Sequence, residues 1–597
     1  MSGEEVSTLR DTLSSIITGT ESPVTSSSTT TSIDDDLTPF PSPRSSARSL
    51  AGLSLSSDGE LEPEVDADKI VTDEDRADAV IVKGKANTAF AEKEFNLSIS
   101  LYTEAIALNP KDATFWNNRA MSKGKMEEHG GAISDAIDTK NANLASPAKA
   151  IELNPQYAKA YYRRGLCYLA ILRPTEAVPD FKKALGIDPG NKSIREQLQM
   201  TVKLIRRIEF EKAISVGETE TASCKCLNLV SSGGCALDLA GKPDDMPLPI
   251  ITDDPNARYK PTKEFVEGMI QSFKKGGKVP KRVAWEIILG CRDVVEKERS
   301  LVEVTVPEGV TCDVVGDTHG QFFDVCNLLS MIGPPSETHI IVFNGDLVDR
   351  GNWGVEVALT VFAYKWLYPD RLYITRGNHE TNDMNKVYGF EGEVKAKLGE
   401  MTYKLFADVF TAIPLSILLT SGLPPSNPKS EGSLPAILDS QGRKRFFVVH
   451  GGPPVSKDGV TLDEIAKIDR FGRQPGQEGA MMELLWTDPQ EQSGRGPSKR
   501  GVGLGFGPDV TKRWCELNKI TAVIRSHEVR ADGYAIEHDG LCITVFSCPN
   551  YCDNVGNKAA YLRMQADGRL SYHQFDAVPH PDVKPMAYSS GFGGFGF

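Results

Sequence analysis

Five runs of β-branched and aromatic residues end in side chains that bind metals or phosphate. Cys312-Asp-Val-Val leads into Gly316-Asp317-Thr318-His319-Gly320, and Ile340-Ile-Val-Phe into Asn344-Gly-Asp346-Leu-Val-Asp349-Arg350-Gly351. Arg371-Leu-Tyr-Ile-Thr precedes Arg376-Gly-Asn378-His379-Glu380, Phe446-Phe-Val-Val precedes His450-Gly-Gly452, and Ala522-Val-Ile-Arg precedes Ser526-His527-Glu528. Each run reads as a buried strand, and each loop after it delivers Asp, Asn or His to one edge of a sheet. Hard oxygen donors mixed with imidazole suit Mn, Fe, Zn or Mg rather than a metal selected by thiolates. A single Asp after a strand is usually a turn residue, and a single Arg is usually a solvated charge. Repetition at five strand ends does not fit that bland reading. His319, His379, His450 and His527 fall in these loops, whereas His129, His339, His538, His573 and His580 fall in none and read as surface or packing residues.

The elements that must position these loops occupy residues 262–585. Phe265, Met269, Phe273, Ala284, Ile287 and Leu289 recur at helical spacing, which predicts helices leading into the strands. Residues 421–443 are rich in Pro, Ser and Gly and are expected to be a loop inserted between two strands. Residues 192–261 begin as a helix and pass into a linker holding Cys224, Cys226 and Cys235, read as exposed thiols because a fourth zinc ligand is lacking. Trp486 is assigned to packing near the site.

Residues 79–191 repeat. Ala86, Tyr102, Ala105 and Pro110 align with Ala120, Ala136, Ala150 and Pro155, and then with Gly165, Phe181, Ala184 and Pro189. The first step is 34 residues and the second 45, so the second unit carries an insert, placed at 137–149. Small residues where two helices of a hairpin approach, with Pro after the second, mark three tetratricopeptide repeats around a concave groove. Lys83 and Asn87, then Asn118, then Lys159 and Arg163 fall at matching places on the first helix of each unit. A spacing of four puts each pair on one helical face, so cations and amides could converge on a peptide carboxylate.

Composition limits the alternatives. The net charge of −14 is concentrated in residues 1–76, where 16 Asp or Glu meet 5 Lys or Arg. Residues 1–60 contain 25 Ser or Thr and a single aromatic, Phe40, so 1–76 reads as a disordered acidic tail. A net basic surface for nucleic acid is absent, and no apolar run is long enough to span a membrane. The 11 scattered cysteines point to reduced thiols and to a cytoplasmic and nuclear location. Residues 586–597 form a Gly/Phe tail in which glycines oppose a helix.

The blocks GDTHG, GDLVDRG and RGNHE, in that order, with Ser547-Cys-Pro-Asn-Tyr-Cys-Asp553, resemble the catalytic signature of the PPP family of serine/threonine phosphoprotein phosphatases. The five groove positions resemble the carboxylate clamp of chaperone-binding tetratricopeptide domains. The resemblance implies an α+β multidomain protein: an all-α tetratricopeptide superhelix followed by an α/β metallophosphoesterase domain with a central β-sandwich. It implies two divalent ions per subunit, Mn in an assay with Fe, Zn or Mg as alternatives, and hydrolysis of phosphoserine and phosphothreonine by a metal-activated water. Asp317, His319 and Asp346 would hold one ion, and Asp346, Asn378, His450 and His527 the other. His379 would be the general acid, oriented by Asp349, while Arg350, Arg500, Asn378 and Tyr551 bind phosphate. It also implies a monomer acting on phosphoproteins, binding the C-terminal peptide of the ninety-kilodalton heat-shock chaperone through Lys83, Asn87, Asn118, Lys159 and Arg163. Glu127 aligns with an autoinhibitory Glu of the family's repeat-bearing branch, whose C-terminal helix this tail does not reproduce. Cys548, in place of a usual Ala, and Pro453-Pro454 depart from the pattern. A phosphodiesterase of the broader metallophosphoesterase group and a non-catalytic chaperone adaptor are the competing classes. The intact blocks disfavour both.

Overall fold

A computed structural model describes residues 70–129, 132, 149–214, 220–232, 234–235, 261–425, 437–476 and 478–589. The acidic tail up to residue 69, nearly all of the 137–149 insert and residues 590–597 lie outside that set. The repeat region comprises α1 (Asp73–Ala91), α2 (Phe95–Leu108), α3 (Ala113–Lys125), α4 (Lys149–Leu153), α5 (Ala158–Ala170), α6 (Pro174–Ile187) and the long α7 (Lys192–Ile214). Local chemistry starts these helices. Thr72 and Asp75 form a reciprocal cap on α1, Asp112 caps α3 through the Thr114 amide, and Pro174 opens α6. The repeated small and aromatic positions are the buried ones: Ala86, Tyr102, Ala105, Ala120, Phe181 and Ala184. At Gly165 even a Cβ would come 2.6 Å from the Phe181 ring, so helix approach requires glycine there.

The catalytic region is built on two large sheets. One runs in the order β1 (Leu301–Val306), β5 (Ser416–Ser421), β6 (Arg445–Val449), β10 (Ala522–Arg525), β12 (Cys542–Val545), β11 (Tyr534–Glu537). The other runs β14 (Leu570–Phe575), β13 (Ala559–Met564), β2 (Thr311–Val315), β3 (His339–Phe343), β4 (Leu372–Ile374). A small third sheet joins β7 (Asp488–Pro489), β9 (Leu504–Phe506) and β8 (Arg495–Pro497). Val314, Val342, Ile417, Phe446, Ile524, Ile543 and Leu562 fill one core between the large sheets, giving the expected sandwich. The parallel pairs β2–β3, β3–β4 and β6–β10 bring the ends of five metal-loop strands to one edge. That is the arrangement in which open α/β sheets hold ligands.

Helices α9 (Lys263–Lys274), α10 (Lys281–Val295), α11 (Phe322–Ile332), α12 (Gly354–Leu367), α14 (Phe390–Lys397) and α15 (Glu400–Ala412) pack on the second sheet, preceded by α8 (Ala222–Ser231), while α13 (Asn382–Tyr388) faces the repeats. The linker reading is corrected at α8. Thr221 caps the helix, the Asp408 carboxylate accepts from the Ser223 amide, and Cys226 and Val230 are wholly buried in the catalytic core. Of the three supposed linker thiols only Cys224 is exposed. The 421–443 stretch does lie between two strands, β5 and β6. Its residues 426–436 are outside the described set, and Asp439 closes a turn by accepting from the Gln441 and Arg443 amides.

Repeat and catalytic regions share a core. Leu169 and Phe181 of the third repeat cluster with Tyr388, Leu485, Trp486 and Met586. Across the same boundary the Tyr388 hydroxyl donates to the Ala170 carbonyl over 2.8 Å, and Arg207 pairs with Glu391. The C-terminal segment, helix-free through Ser589, contributes Met586, whose amide donates to the Arg350 carbonyl.

Candidate active site

The strand ends deliver their side chains as one cluster. Asp317 and His319 follow β2, Asp346 follows β3, Asn378 follows β4, His450 follows β6 and His527 follows β10, all buried. His319, Asp346, Asp349, Arg350 and His527 have φ of 40°, 49°, 69°, 68° and 71°, a strained conformation for residues with a Cβ. Such strain persists because the surroundings over-determine it. The Glu380 carboxylate accepts from the amides of Asp346, Leu347 and Gly377 at 2.8–2.9 Å and so fixes two ligand loops against each other. At Gly377 a Cβ would sit 2.2 Å from an Asp346 oxygen, which explains the glycine.

Two trios of ligand atoms, each trio mutually within 4.8 Å, share Asp346: His319, Asp346 and His379, and Asp346, His450 and His527. Asp317 lies beside the first, 3.7 Å from His319 Nε2. The Val348 and Asn344 carbonyls face Nδ1 of His319 and His450 at 3.1 and 2.9 Å, so both rings turn Nε2 inward. Whether these residues fit divalent ions is testable on their own contacts. Asp317 Oδ2 and His527 Nε2 are buried without a partner. The Asn378 side-chain amide adjoins Asp346, His450 Nε2 and His527 Nδ1 at 2.9–3.2 Å. Buried acceptors left without donors, as Asp317 Oδ2 and His527 Nε2 are, are satisfied by cations, so the residues fit the group. Burial accordingly pushes the Asp346 carboxyl far up and that of Asp317 to about 7, and holds His319 and His527 well below the usual imidazole range.

Beside this cluster His379 Nδ1 lies 2.9 Å from Asp349 Oδ2. Asp349 accepts further from the Phe390 amide and from Asn385 Nδ2, which also donates to the His379 carbonyl. Asn385 thus holds His379 and Asp349 together. Burial lifts the Asp349 carboxyl to about 7.

Arg350, Arg500 and Tyr551 converge on a carboxylate from the repeats. Glu127, at φ 61° just after α3, accepts from Arg350 Nη2 at 2.6 Å and the Tyr551 hydroxyl at 3.1 Å, and its other oxygen lies 3.4 Å from Arg500 Nη1. Burial alone would raise its pKa, but the two guanidiniums hold it well below the ordinary carboxylate range. His129, read from the sequence as a surface or packing residue, is buried and lines the same cavity as Asp317, His319, Asp346, Asn378 and His527. Trp486 meets the His527 ring edge-on at 5.6 Å and otherwise packs. Cys548 is buried, its thiol 2.8 Å from Gln321 Oε1.

In the groove, Arg163 donates to the Asn117 carbonyl at 2.7 Å and lies 3.4 Å from Asn118 Oδ1. The Tyr102 hydroxyl donates to Asn87 and lies close to Asn118 and Arg163 as well. Lys83 reaches Thr114 on the neighbouring helix, and Lys159 is exposed one turn before Arg163. Four of the five positions are therefore linked through adjoining helices, and Lys159 stands at their edge.

Glu380, Asn385, Asn344 and His129 were missed by sequence reasoning. Glu380 adjoins the RGNHE histidine and Asn385 follows it by six residues, the only signals available. His129 had none beyond its nearness to Glu127.

The calcineurin-like phosphoesterase family matches residues 311–531, a tetratricopeptide repeat matches 158–191, and a repeat region described as PPP5 TPR matches 198–303. The chain is 45% identical over 512 residues to serine/threonine-protein phosphatase T of Aspergillus oryzae, spanning 86% of this chain and 97% of that protein. It is 40% identical over 510 residues to human serine/threonine-protein phosphatase 5, spanning 85% and 92%. A solved Saccharomyces cerevisiae serine/threonine phosphatase structure is 41% identical, with a TM-score of 0.48 over 55% of this chain and all of that one.

Proposed function

The chain belongs to the phosphatase 5 and phosphatase T family of serine/threonine protein phosphatases, and from that premise we propose that its repeat domain restrains a dinuclear phosphatase site and releases it for a chaperone C-terminal peptide. The observation that carries this reading is the carboxylate of Glu127 lodged among Arg350, Arg500 and Tyr551. Two guanidiniums and a phenol arranged around one anion form a site for phosphate oxygens, and Glu127 occupies it.

Asp317, His319 and Asp346 would hold one ion, and Asp346, Asn378, His450 and His527 the second. When bound, the pair supplies positive charge at the phosphoryl group and acidifies water for in-line attack, with Mn the ion expected to support activity and Fe, Zn or Mg as alternatives. Once Glu127 has left, Arg350 and Arg500 orient the phosphoryl group by charge-assisted hydrogen bonds, helped by Tyr551. With its carboxylate ionised, Asp349 accepts from His379 Nδ1 and supports the charged ring, and in that imidazolium form Nε2 carries the proton that passes to the departing Ser or Thr alkoxide, leaving a neutral ring. Asn385 and the Phe390 amide satisfy the remaining lone pairs of Asp349 and keep the pair aligned.

In the groove Lys83, Asn87, Asn118, Lys159 and Arg163 supply donors for a peptide ending in a free carboxylate, with the ninety-kilodalton heat-shock chaperone as the source. No helix among the described residues is long and apolar enough to cross a membrane. The test is metal content and hydrolysis of a phosphoserine peptide by the purified protein, with and without the chaperone peptide, against a phosphodiester control. Phosphodiester cleavage in preference to the phosphopeptide, or activity undiminished by His379→Ala, would sink the catalytic reading.

A further inference from the structure

Glu127 does not enter the site alone. The next residue, Glu128, puts its carboxylate 3.1 Å from Lys499 Nζ, and Lys499 immediately precedes the phosphate-site Arg500. Two consecutive acids of the repeat thus meet two consecutive cations of the catalytic region. Lys499 is the more accessible of the two cations: its side chain is 44% exposed, against 9% for Arg500. It also pairs with Glu528 at 3.2 Å, a carboxylate already shared with Arg525 and Arg530. Withdrawal of the repeat would therefore leave Lys499 at the rim with an anion removed, beside the place a phosphate takes. Glu528 would keep it there, because two guanidiniums hold that carboxylate nearly buried.

Resting on the phosphatase reading above, we propose that Lys499 is a specificity residue that reads an acidic side chain next to the phosphorylated residue. Glu127-Glu128 mimics such a substrate, with Glu127 in place of the phosphate and Glu128 in place of a Glu or Asp at the following position. The chemical class of substrate is then a phosphoserine or phosphothreonine followed directly by an acid. Charge at a solvated rim acts modestly and is screened by salt, so the effect falls mainly on KM.

The experiment uses the full chain with Mn and matched phosphoserine peptides carrying Glu, Gln or Lys after the phosphoserine, and a second set varied before it. Ratios of kcat/KM within one protein do not depend on how much of it is open. The expected Glu-to-Gln ratio is roughly three- to tenfold at low salt, shrinking as salt rises. Lys499→Gln should bring the ratio to near one, Lys499→Arg should restore it, and Lys499→Glu should make the Lys peptide the best of the three. A ratio within about twofold in the unaltered chain, a preference confined to the preceding position, or a ratio unmoved by Lys499→Gln and Lys499→Glu would overturn the proposal. Hydrolysis without the preference removes only this role of Lys499, whereas no hydrolysis of any peptide removes the phosphatase reading beneath it.

Discussion

Arg350 Nη2 lies 2.6 Å from Glu127 Oε1, and the same guanidinium sits 3.9 Å from the centre of the Tyr388 ring. The Tyr388 hydroxyl in turn holds the Ala170 carbonyl of the third repeat. Arg350 is therefore fastened to two repeats, by charge to the second and through an aromatic ring to the third. Restraint built this way depends on a desolvated ion pair, which costs little while intact and a great deal when one partner is lost.

The acid pair makes the sharpest prediction about chemistry. His379→Ala should lower kcat by roughly 10²- to 10⁴-fold with KM little changed, since general acid catalysis acts only as the leaving group departs. Asp349→Asn should lower it by a similar order because the His379 tautomer is lost. Asn385→Ala, which frees both partners without removing either, should cost roughly tenfold in kcat and shift the acidic limb of the pH profile. Steady-state kinetics on the chain without its repeats gives all three.

Lys159→Glu combined with Arg163→Glu should abolish binding of a peptide ending in a free Asp carboxylate, read by calorimetry. A catalytic region beginning at Glu220 should retain its activity, having no groove. Lys159→Glu alone is the cleaner variant, because Arg163 also braces the Asn117 carbonyl. Undiminished affinity in the double variant would remove the clamp assignment.

Restraint should weaken in mild acid. Burial beneath the repeat boundary holds His129 at about 4, below its ordinary 6.5. The open state therefore binds this proton more readily, and closure loses stability as pH falls from 6.5 towards 4. Glu127 is likewise held low in the closed state, so its contribution is complete above 4.5 and is lost only as the pH falls below that value. The activity advantage of the chain beginning at Glu220 over the full chain should shrink between pH 7 and pH 5, roughly severalfold, and His129→Gln should flatten that change. Circular dichroism at each pH guards against global unfolding.

The C-terminal contact resides in Met586 rather than in a helix. Its side chain is 6% exposed among Leu169 and Tyr388, and Asn352 clips the segment by donating to the Lys584 carbonyl and accepting from the Ala587 amide. Ending the chain at Tyr588 should change basal activity by less than about twofold, whereas Met586→Asp, which buries a charge without a partner, should raise it severalfold. A large gain from the truncation would place the latch in the final residues instead.

The strand-end ligands were legible because metal and phosphate chemistry dictates residue type, and strands ending in Gly-Asp or Asn-His advertise it. The repeats were legible through their period, and Gly165 against Phe181 shows the contact that keeps it. Glu380 and Asn344 were not: their work is to receive amides or present a carbonyl across loops distant in sequence, and nothing in a local pattern marks that. Helix α8 escaped because its single turn-pair of apolar residues lies in a stretch of Gly, Ser and Asp, and only packing under α15 makes it a helix of the catalytic core. Glu127 came from family resemblance alone, and Glu128 and His129 from neither pattern nor resemblance, since their partners belong to another domain.

Restraint of a phosphatase site by Glu127 is most directly measured as phosphoserine-peptide hydrolysis by the full chain, by Glu127→Gln and by the chain beginning at Glu220, in one Mn-containing buffer. Loss of one partner from a buried ion pair costs about 3–5 kcal/mol, so Glu127→Gln should raise kcat/KM by at least roughly tenfold, approaching the value of the chain without repeats. Equal activity in all three proteins would contradict the account.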